Sequence, residues 1–323
     1  MTQALEARPT AGGGANDSLA GERVLVTGAS GFIGRHLCAR LLGAGARVFA
    51  VSRSGRPRDL PRAEPDPLEW RSHDLGERGA AAATMRWARP DRVVHLASLV
   101  KGARDRALVA EMFDANVAST VRLLDAAADA GCRRFVHLGS LEEPEAGEWP
   151  VSPYAASKAA ASLYAELYAR LYGLPVATAR VFMVYGPGPQ DLAKLVPYVI
   201  TELLAGRAPE LSSGRRAVDW VFVEDVAEGL CRMLVDPGAV GERLDLGSGE
   251  LVTVRELVAR LTGLVASGVE PRLGALPDRE GEVVRCADVE RTAARIGWRP
   301  RVGLDEGLRR TVEELRGRVA GAG

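Results

Sequence analysis

Short apolar runs alternate with longer segments of helical periodicity from residue 22 onwards. This alternation is typical of an α/β fold with a doubly wound parallel sheet. The predicted strands are Arg23–Thr27, Arg47–Val51, a third strand closed by His73–Leu75, Arg92–His95 and Arg134–Leu138. The predicted helices are Arg35–Leu42, Arg106–Ala130 and Tyr154–Tyr172.

The regular alternation ends after Tyr185, where Gly186-Pro-Gly-Pro189 predicts a loop. We therefore expect a core over residues 21–185 and a smaller lobe over residues 186–323, with some strands and helices of the second part returning to the core. Residues 1–20, rich in alanine, glycine and small polar residues, are typical of a disordered tail. The second part contains predicted helices at 192–205, 224–234 and 304–319, the last a solvated surface helix, and predicted strands at 220–223 and 243–246.

Composition and charge argue against several classes of function. With 42 basic and 42 acidic residues, the chain lacks the charged surface that binds nucleic acid or anionic membranes. No apolar run is long enough to span a membrane, and the histidines form no metal-ligand pattern, so we expect no metal site. Scattered cysteines and the lack of a signal peptide indicate reduced thiols, most of them in the core, and a cytoplasmic location. The cysteines are Cys38, Cys132, Cys231 and Cys286, and the histidines are His36, His73, His95 and His137.

A glycine-rich turn follows the first predicted strand and leads into the first helix. It reads Gly28-Ala-Ser-Gly31-Phe-Ile-Gly34. Glycines allow such a turn to tighten and the backbone to approach a pyrophosphate, which then lies at the positive end of the helix. A glycine-rich turn can be purely structural, but this one lies between a buried strand and a helix, and we therefore predict a dinucleotide site.

The end of the second strand bears on which dinucleotide binds. An NAD site usually places a carboxylate here to accept from the ribose 2′-hydroxyl, whereas an arginine accommodates the 2′-phosphate of NADP. Ser52 stands at the carboxylate position, followed by Arg53 and Ser54. We therefore predict that NADP(H) is preferred, with NAD(H) as the alternative. A solvated loop arginine is the competing explanation for Arg53.

Tyr154 and Lys158 are four residues apart and lie on one face of a predicted helix. An ammonium beside a phenol lowers the pKa of the tyrosine, which suits proton transfer to or from a carbinol oxygen while hydride moves. Only Lys101, Lys158 and Lys194 are lysines among the 42 Lys and Arg residues, which favours a chemical role for Lys158. An ordinary amphipathic helix can carry the same pair by chance.

Six motifs in this order resemble the extended short-chain dehydrogenase/reductase family, in particular its nucleotide-sugar epimerase and dehydratase group. The resemblance implies a Rossmann core, a lobe that closes over a nucleoside-diphosphate sugar, and a homodimer that pairs the long helices 106–130 and 154–172. The motifs are Thr27-Gly-Ala-Ser-Gly-Phe-Ile-Gly34, His95-Leu-Ala-Ser98, Ser140, Pro153-Tyr-Ala-Ala-Ser-Lys158, Tyr185-Gly-Pro-Gly188 and Asp219-Trp-Val-Phe-Val-Glu-Asp225.

The resemblance also implies roles for individual residues. Ser140 would hydrogen-bond the substrate carbonyl or hydroxyl, Tyr154 would be the general acid or base, and Lys158 would bind the nicotinamide ribose. Arg279 would contact the diphosphate, and Glu282 the ribose hydroxyls. The predicted cofactor residues are Gly28, Ser30, Gly31, Phe32, Ile33, Gly34, Ser52, Arg53, Ser54, Asp74 (which would accept from the adenine amino group), Leu75, Leu96, Ala97, Ser98, Asn116, Tyr154, Lys158 and Val181. The predicted substrate residues are Lys101, Ser140, Lys194, Arg216, Arg279 and Glu282.

Three positions depart from the family pattern. Met183 stands where an asparagine usually meets the diphosphate, and Val218 stands where an arginine usually precedes the last motif, although Arg215 and Arg216 lie nearby and could substitute. Leu141 stands where sugar 4,6-dehydratases commonly carry an acid, and a leucine cannot protonate a leaving hydroxyl. Glu142 matches the catalytic glutamate that some dehydratases and decarboxylases of the family use.

Three functions are consistent with these patterns. The Ser52-Arg53 pair favours a reductase of a keto nucleotide deoxysugar, most simply at C4, because a consumed reductant is usually NADPH. The general family match and Glu142 favour a redox-neutral epimerase, dehydratase or decarboxylase that works through a 4-keto intermediate. A non-catalytic NADP-binding sensor is the third, and the intact Ser140, Tyr154 and Lys158 argue against it.

Overall fold

A seven-stranded parallel sheet forms the centre of the fold, in a computed structural model that describes residues 19–57, 66–279 and 281–321. The first part of the chain runs β1 (Arg23–Thr27), α1 (Phe32–Gly43), β2 (Arg47–Ser52), β3 (Leu68–Ser72), α2 (Ala80–Ala88), β4 (Arg92–His95), α3 (Leu108–Met112), a π-helical segment (Phe113–Ala118), α4 (Ser119–Asp129), β5 (Arg134–Ser140), α5 (Pro153–Leu171) and β6 (Val176–Val181). The second part runs β7 (Met183–Tyr185), α6 (Leu195–Leu204), β8 (Glu210–Leu211), β9 (Ala217–Phe222), α7 (Val223–Val235), a 3₁₀ turn (Pro237–Ala239), β10 (Arg243–Leu246), β11 (Leu251–Thr253), α8 (Val254–Val265), β12 (Arg272–Leu273), α9 (Val289–Ile296) and α10 (Leu304–Gly321).

The strand order of the main sheet is β3-β2-β1-β4-β5-β6-β10, and all neighbouring pairs are parallel. Helices cover both faces, with α1 and α7 on one side and α2, α4 and α5 on the other. The strands are buried on both faces for this reason, which explains their nearly continuous apolar character. This arrangement confirms the predicted doubly wound parallel sheet.

The second part of the chain contributes both to a smaller lobe and to the main sheet. A three-stranded sheet of β11, β9 and β7 packs with α6, α8 and α10 around a separate apolar core. Strand β10 returns to the edge of the main sheet beside β6. The division of the chain at residue 185 into a core and a substrate lobe stays a prediction.

Several predicted elements differ from the structure. Leu19 is fully buried in the core, so the predicted tail of residues 1–20 extends too far, while residues 1–18 lie outside the described chain. Strand β3 ends at Ser72, and the segment His73–Leu75 belongs to the loop that follows it. Helix α10 is not a purely solvated helix, because Leu308, Val312 and Leu315 recur at helical spacing and are buried in the lobe.

The predicted helix Arg106–Ala130 is interrupted by the π-helical segment Phe113–Ala118. No glycine or proline marks this interruption in the sequence. The hydroxyls of Ser119 and Thr120 donate to the carbonyl oxygens of Ala115 and Asn116, four residues earlier. Such side-chain competition for backbone acceptors distorts helices locally, and single π turns are frequent at functional sites.

Within the part of the chain that the structure describes, no helix is both long and apolar enough to cross a membrane. The same residues contain no group of three His, Cys, Asp or Glu side chains placed to hold a metal ion. The four cysteines are free thiols. Three of them are buried, as predicted, and Cys286 is exposed.

Candidate functional site

A cavity of about 760 Å³ opens at the carboxyl ends of β1, β2 and β4. Thr27 of β1 is in register with Val51 of β2 on one side and with His95 of β4 on the other. The loops that follow these strands therefore meet at one edge, where the strand order reverses and ligands of such sheets bind. Sixteen predicted cofactor residues line this cavity: Gly28, Ser30, Gly31, Phe32, Ile33, Gly34, Ser52, Arg53, Ser54, Asp74, Leu75, Leu96, Ala97, Ser98, Tyr154 and Lys158.

Eight lining residues were not predicted from the sequence. Most of them are chain neighbours of predicted residues, and their adjacency was the available signal. Ser119 and Ala115 belong to the π-helical interruption and its end, which no local pattern indicated. The eight residues are Val51, His73, Gly76, Leu99, Val100, Ala115, Ser119 and Leu138.

The glycine turn is shaped by close backbone approaches. Gly28 has φ +66°, and a Cβ at this position would lie 2.7 Å from the backbone nitrogen of Ala97. A Cβ on Gly34 would collide with the carbonyl oxygen of Gly28. Helix α1 then begins with Gly31 as N-cap, with no side chain capping it and no acidic residue in its first turn. Free N–H groups at a helix N-terminus form an anion site, so the turn fits the pyrophosphate of a dinucleotide.

The part of the cavity wall formed by the end of β2 and the following loop carries one positive side chain and two hydroxyls. The buried Ser52 donates to the carbonyl oxygen of Gly55 (2.9 Å), and Ser54 donates to the hydroxyl of Ser30 (3.3 Å). Arg53 lies between them, exposed on the cavity wall. Among the described residues, no carboxylate pairs with the Arg53 guanidinium. The last position of β2, where an NAD site usually has a carboxylate, is the serine Ser52. This wall suits an anionic group better than a ribose diol.

The predicted catalytic residues come together at the other end of the cavity. Ser140 ends β5, and Tyr154 lies in the first turn of α5, whose N-cap Ser152 accepts from the Ala155 N–H (3.0 Å). The hydroxyl of Ser140 lies close enough to the phenol of Tyr154 to lower the pKa of the tyrosine. Lys158, one turn along α5, is buried and lines the cavity with Tyr154. Tyr154 and Lys158 thus line the dinucleotide cavity, and Ser140 lies beside Tyr154 without lining the cavity itself.

The protonation of the tyrosine and the lysine differs from the expectation. Burial raises the pKa of Tyr154, the nearby Ser140 hydroxyl lowers it, and the carboxylates of Glu142 and Glu143 raise it further. Burial lowers the pKa of Lys158 to about 8, and the charge of Glu143 opposes this change. Because desolvation dominates at both groups, this structure favours a neutral phenol and not the phenolate that we expected Lys158 to stabilise.

Asn116 does not point its amide at the cavity. Its Oδ1 accepts from the Ser98 hydroxyl (3.0 Å) and the Leu99 N–H (2.7 Å), and its Nδ2 donates to the Leu99 carbonyl (3.0 Å) and the Ser157 hydroxyl (2.9 Å). These four bonds use the full capacity of an amide. The residue therefore joins the loop after β4 to helix α5, and it supports the site in place of the predicted direct contact. Val181, also predicted as a cofactor residue, is buried and does not line the cavity.

The two glutamates after Ser140 differ in their surroundings. Glu142 donates its backbone N–H to the Ser140 hydroxyl (3.2 Å) and is partly exposed. Glu143 is 2% exposed, and its carboxylate accepts from the Ser140 N–H (2.7 Å). We did not predict a role for Glu143 from the sequence. The available signal was a carboxylate three residues after a predicted catalytic serine, a spacing that allows a return hydrogen bond to the backbone.

All the predicted substrate residues, Ser140 included, lie outside the cavity lining. Lys101 is exposed and forms an ion pair with Glu111 (3.8 Å), and Lys194 is the exposed N-cap of α6. Arg216 and Glu282 pair with each other (3.0 Å). The Arg279 guanidinium lies 3.5 Å from where a Cβ of Gly102 would stand, which places it against the loop that continues from the cavity-lining residues Leu99 and Val100.

Comparison with known proteins agrees with this geometry. A sequence model of the NAD dependent epimerase/dehydratase family matches residues 24–247. The chain is 35% identical to a UDP-glucose 4-epimerase of Mycolicibacterium smegmatis, over 91% of this chain and 98% of that protein. It is 33% identical to a dTDP-glucose 4,6-dehydratase of an Actinoplanes species, over 90% and 96%. The solved structure of Bordetella bronchiseptica WbmF in complex with NAD+ and UDP superimposes with a TM-score of 0.80 at 25% identity, over 94% and 95% of the chains.

These similarities extend over nearly the whole length of each relative, and the cavity, the glycine turn and the Ser140–Tyr154–Lys158 group lie within the matched residues. The chain therefore belongs to the NAD-dependent epimerase/dehydratase family, and it is a nucleotide-sugar enzyme of the extended short-chain dehydrogenase/reductase type.

Proposed function

We propose that this protein reduces the C4 keto group of a nucleoside-diphosphate deoxysugar, with NADP(H) in the cavity. The observation that carries the proposal is Arg53, an exposed guanidinium on the cavity wall at the end of β2, where the described chain has no carboxylate. An arginine at this position accommodates a 2′-phosphate. A reaction that consumes its reductant commonly uses NADPH, and this cofactor preference therefore favours net reduction.

The bound dinucleotide would supply the hydride that is delivered to C4. Tyr154 donates its phenolic proton to the C4 oxygen, and the neutral phenol that burial favours is the form this step needs. The Ser140 hydroxyl, which already contacts the Tyr154 phenol, hydrogen-bonds the same oxygen and orients it. Lys158, buried one helical turn away, holds the nicotinamide ribose and supplies a nearby exchangeable proton.

A redox-neutral C4 epimerisation is the second candidate. It is favoured by Glu142, whose carboxylate is close enough to raise the pKa of Tyr154, and by relatives named UDP-glucose 4-epimerase. Dehydration is less well supported, because Leu141 is buried where an acid would be needed. In the epimerisation, Tyr154 would act first as a base and afterwards as an acid, and the reduced cofactor would stay bound.

The test uses the reduced-nicotinamide absorbance of NADPH with a 4-keto-6-deoxy nucleotide sugar. We expect one NADPH to be oxidised for each keto sugar consumed. A parallel reaction contains UDP-glucose or dTDP-glucose with NAD+ and is followed by NMR of the sugar protons. Formation of a C4 epimer in that reaction, without net change in nicotinamide absorbance, would replace the proposal with the second candidate.

Replacing Arg53 by alanine should weaken NADPH binding by about 10- to 100-fold, which corresponds to the loss of charge-assisted hydrogen bonds to a phosphate. Binding of NADH should stay within about twofold, because NADH has no 2′-phosphate. Dissociation constants from nicotinamide fluorescence titrations measure both. Arg78→Ala, an exposed arginine outside the cavity wall, is the matched control. Equal losses for NADPH and NADH in the Arg53 variant would contradict the assigned 2′-phosphate contact.

We also propose a homodimer formed by the paired helices of one sheet face. Segments α3, α4 and α5 pack together, and they expose several apolar side chains. The exposed apolar residues on these helices and on the π-helical segment between α3 and α4 are Val109, Phe113, Leu163, Tyr164 and Leu171. Light scattering at micromolar concentration should give twice the mass of the chain, and a monomeric mass would refute the dimer. A cytoplasmic location stays a prediction.

A further inference from the structure

Glu143 is a buried carboxylate that connects the catalytic strand end to a cation. Its Oε1 accepts from the Ser140 N–H (2.7 Å), and its Oε2 lies 3.3 Å from Nη2 of Arg243, the first residue of β10. The side chain of Glu143 is 2% exposed and that of Arg243 is 37% exposed. A buried carboxylate normally needs such partners, since an unpaired charge in the interior is costly.

The chain provides space for this carboxylate at Gly139. A Cβ at position 139 would lie 2.8 Å from Oε1 of Glu143, closer than real Cβ atoms approach an oxygen. The glycine directly before Ser140 therefore allows the loop after β5 to return its carboxylate to the strand. The local geometry of Ser140 depends on this fit, because the bonded N–H belongs to the catalytic serine itself.

Glu143 also acts electrostatically on the catalytic pair. Its charge raises the pKa of Lys158, which burial lowers to about 8, and it raises the pKa of Tyr154. Glu142 from the same loop acts on Tyr154 in the same direction.

The other groups that face this pair come from β4, β5 and β10. His95 of β4 and His137 of β5 have pKa values lowered by burial, and Lys158 lowers both further. Both imidazoles are therefore neutral at working pH and contribute no charge. Arg243 of β10 lowers the pKa of His137, which shows that its positive charge reaches the same interior region. Glu143 and Arg243 thus form a pair of opposite charges in this region, in which Glu143 acts on Lys158 and Arg243 acts on His137.

We propose that Glu143 is a positioning residue for the catalytic centre: it holds the Ser140 backbone, and with Arg243 it controls how readily Lys158 and Tyr154 exchange protons. This role rests on the proposed function in so far as Lys158 and Tyr154 carry out the proton transfer. The electrostatic part is a property of the folded chain, and it can be measured without turnover.

Two substitutions should move the titration of Lys158 in opposite directions. Glu143→Gln keeps an oxygen that can accept from the Ser140 N–H and removes the negative charge, so the pKa of Lys158 should fall by about half a unit or more. Arg243→Gln removes the opposing positive charge, so the same pKa should rise. Glu145→Gln, an exposed glutamate of the same loop, is the control and should leave the pKa unchanged.

The measurement is an NMR titration of the full chain labelled at lysine Cε. The sequence contains only Lys101, Lys158 and Lys194, so the signal missing from the Lys158→Met protein is that of Lys158. The two exposed lysines should give the same titration curves in all variants. Opposite shifts of the Lys158 signal support the proposal. An unchanged Lys158 titration in both folded variants, as judged by circular dichroism, would overturn it.

Kinetics separate this inference from the proposed function. In an active enzyme, Glu143→Gln should move the apparent pKa of kcat to lower pH, because the pKa values of Lys158 and Tyr154 both fall. KM for the sugar should change less than about threefold, since Glu143 does not line the cavity. Shifts in the NMR titration without any NADPH-dependent turnover would refute the reductase and retain the role of Glu143. Normal NADPH-dependent turnover, with no shift in the NMR titration or in the pH profile of kcat, would refute the role of Glu143 and retain the reductase.

Discussion

Replacing Tyr154 by phenylalanine should lower kcat by about 100- to 10,000-fold, the range typical of a lost general acid. The ring would stay in the first turn of α5, and only the hydroxyl that contacts Ser140 would be removed. Binding of the dinucleotide should be nearly unchanged, because the glycine turn and Arg53 are untouched. Steady-state kinetics and a binding titration on the same protein measure the two effects.

The matched control for this prediction is Tyr164→Phe. Tyr164 lies on the same helix, is 41% exposed, and is outside the cavity wall. Its loss of a hydroxyl should change kcat by less than about twofold, because that hydroxyl is outside the cavity and the ring, which lies on the proposed dimer face, is kept. A Tyr154→Phe protein with full activity would remove Tyr154 from the mechanism, and with it both proposed reactions.

The second large effect is expected at Gly28. Alanine there must adopt φ near +66°, a left-handed conformation that costs about 1–2 kcal/mol, and its Cβ would lie 2.7 Å from backbone atoms that cannot rotate away. We expect dinucleotide affinity to fall at least about 100-fold, since the turn must open at the point where the pyrophosphate would lie. Thermal unfolding should also occur at lower temperature.

Gly43→Ala tests whether the effect belongs to the turn. Gly43 is the last residue of α1, and nothing lies within 4 Å of a Cβ placed on it. Alanine there should leave dinucleotide affinity unchanged and keep or slightly increase stability. Unchanged affinity in the Gly28→Ala protein would mean that the β1–α1 turn is not the pyrophosphate site.

The two predictions examine different ends of one cavity. Gly28 and Arg53 line the part that fits the adenosine and pyrophosphate, whereas Tyr154 and Lys158 line the part where hydride and proton would meet. Loss of binding with the Gly28 variant and loss of turnover with the Tyr154 variant would together show that the cavity both holds the dinucleotide and performs the chemistry.

The sequence alone determined the sheet, the glycine turn and the tyrosine–lysine pair. Strands β1, β4 and β10 have the predicted bounds. For β1 the reason is that a strand buried on both faces is a nearly continuous apolar run that can be read locally. The glycine turn was equally visible, since its function requires glycine at fixed spacing after a strand. Tyr154 and Lys158 could be paired because four residues make one helical turn.

Only the tertiary structure decided what these residues meet. The full hydrogen bonding of Asn116, the pairing of Arg216 with Glu282, and the burial of Leu308 on α10 all depend on elements distant in the chain. The pKa of Tyr154 was predicted in the wrong direction for this structure, because spacing shows that an ammonium is near and does not show how much water burial removes. Glu143 was overlooked for a related reason: its partner Arg243 lies 100 residues further along the chain, and the adjacent β5–β6–β10 strand order brings the two charges together.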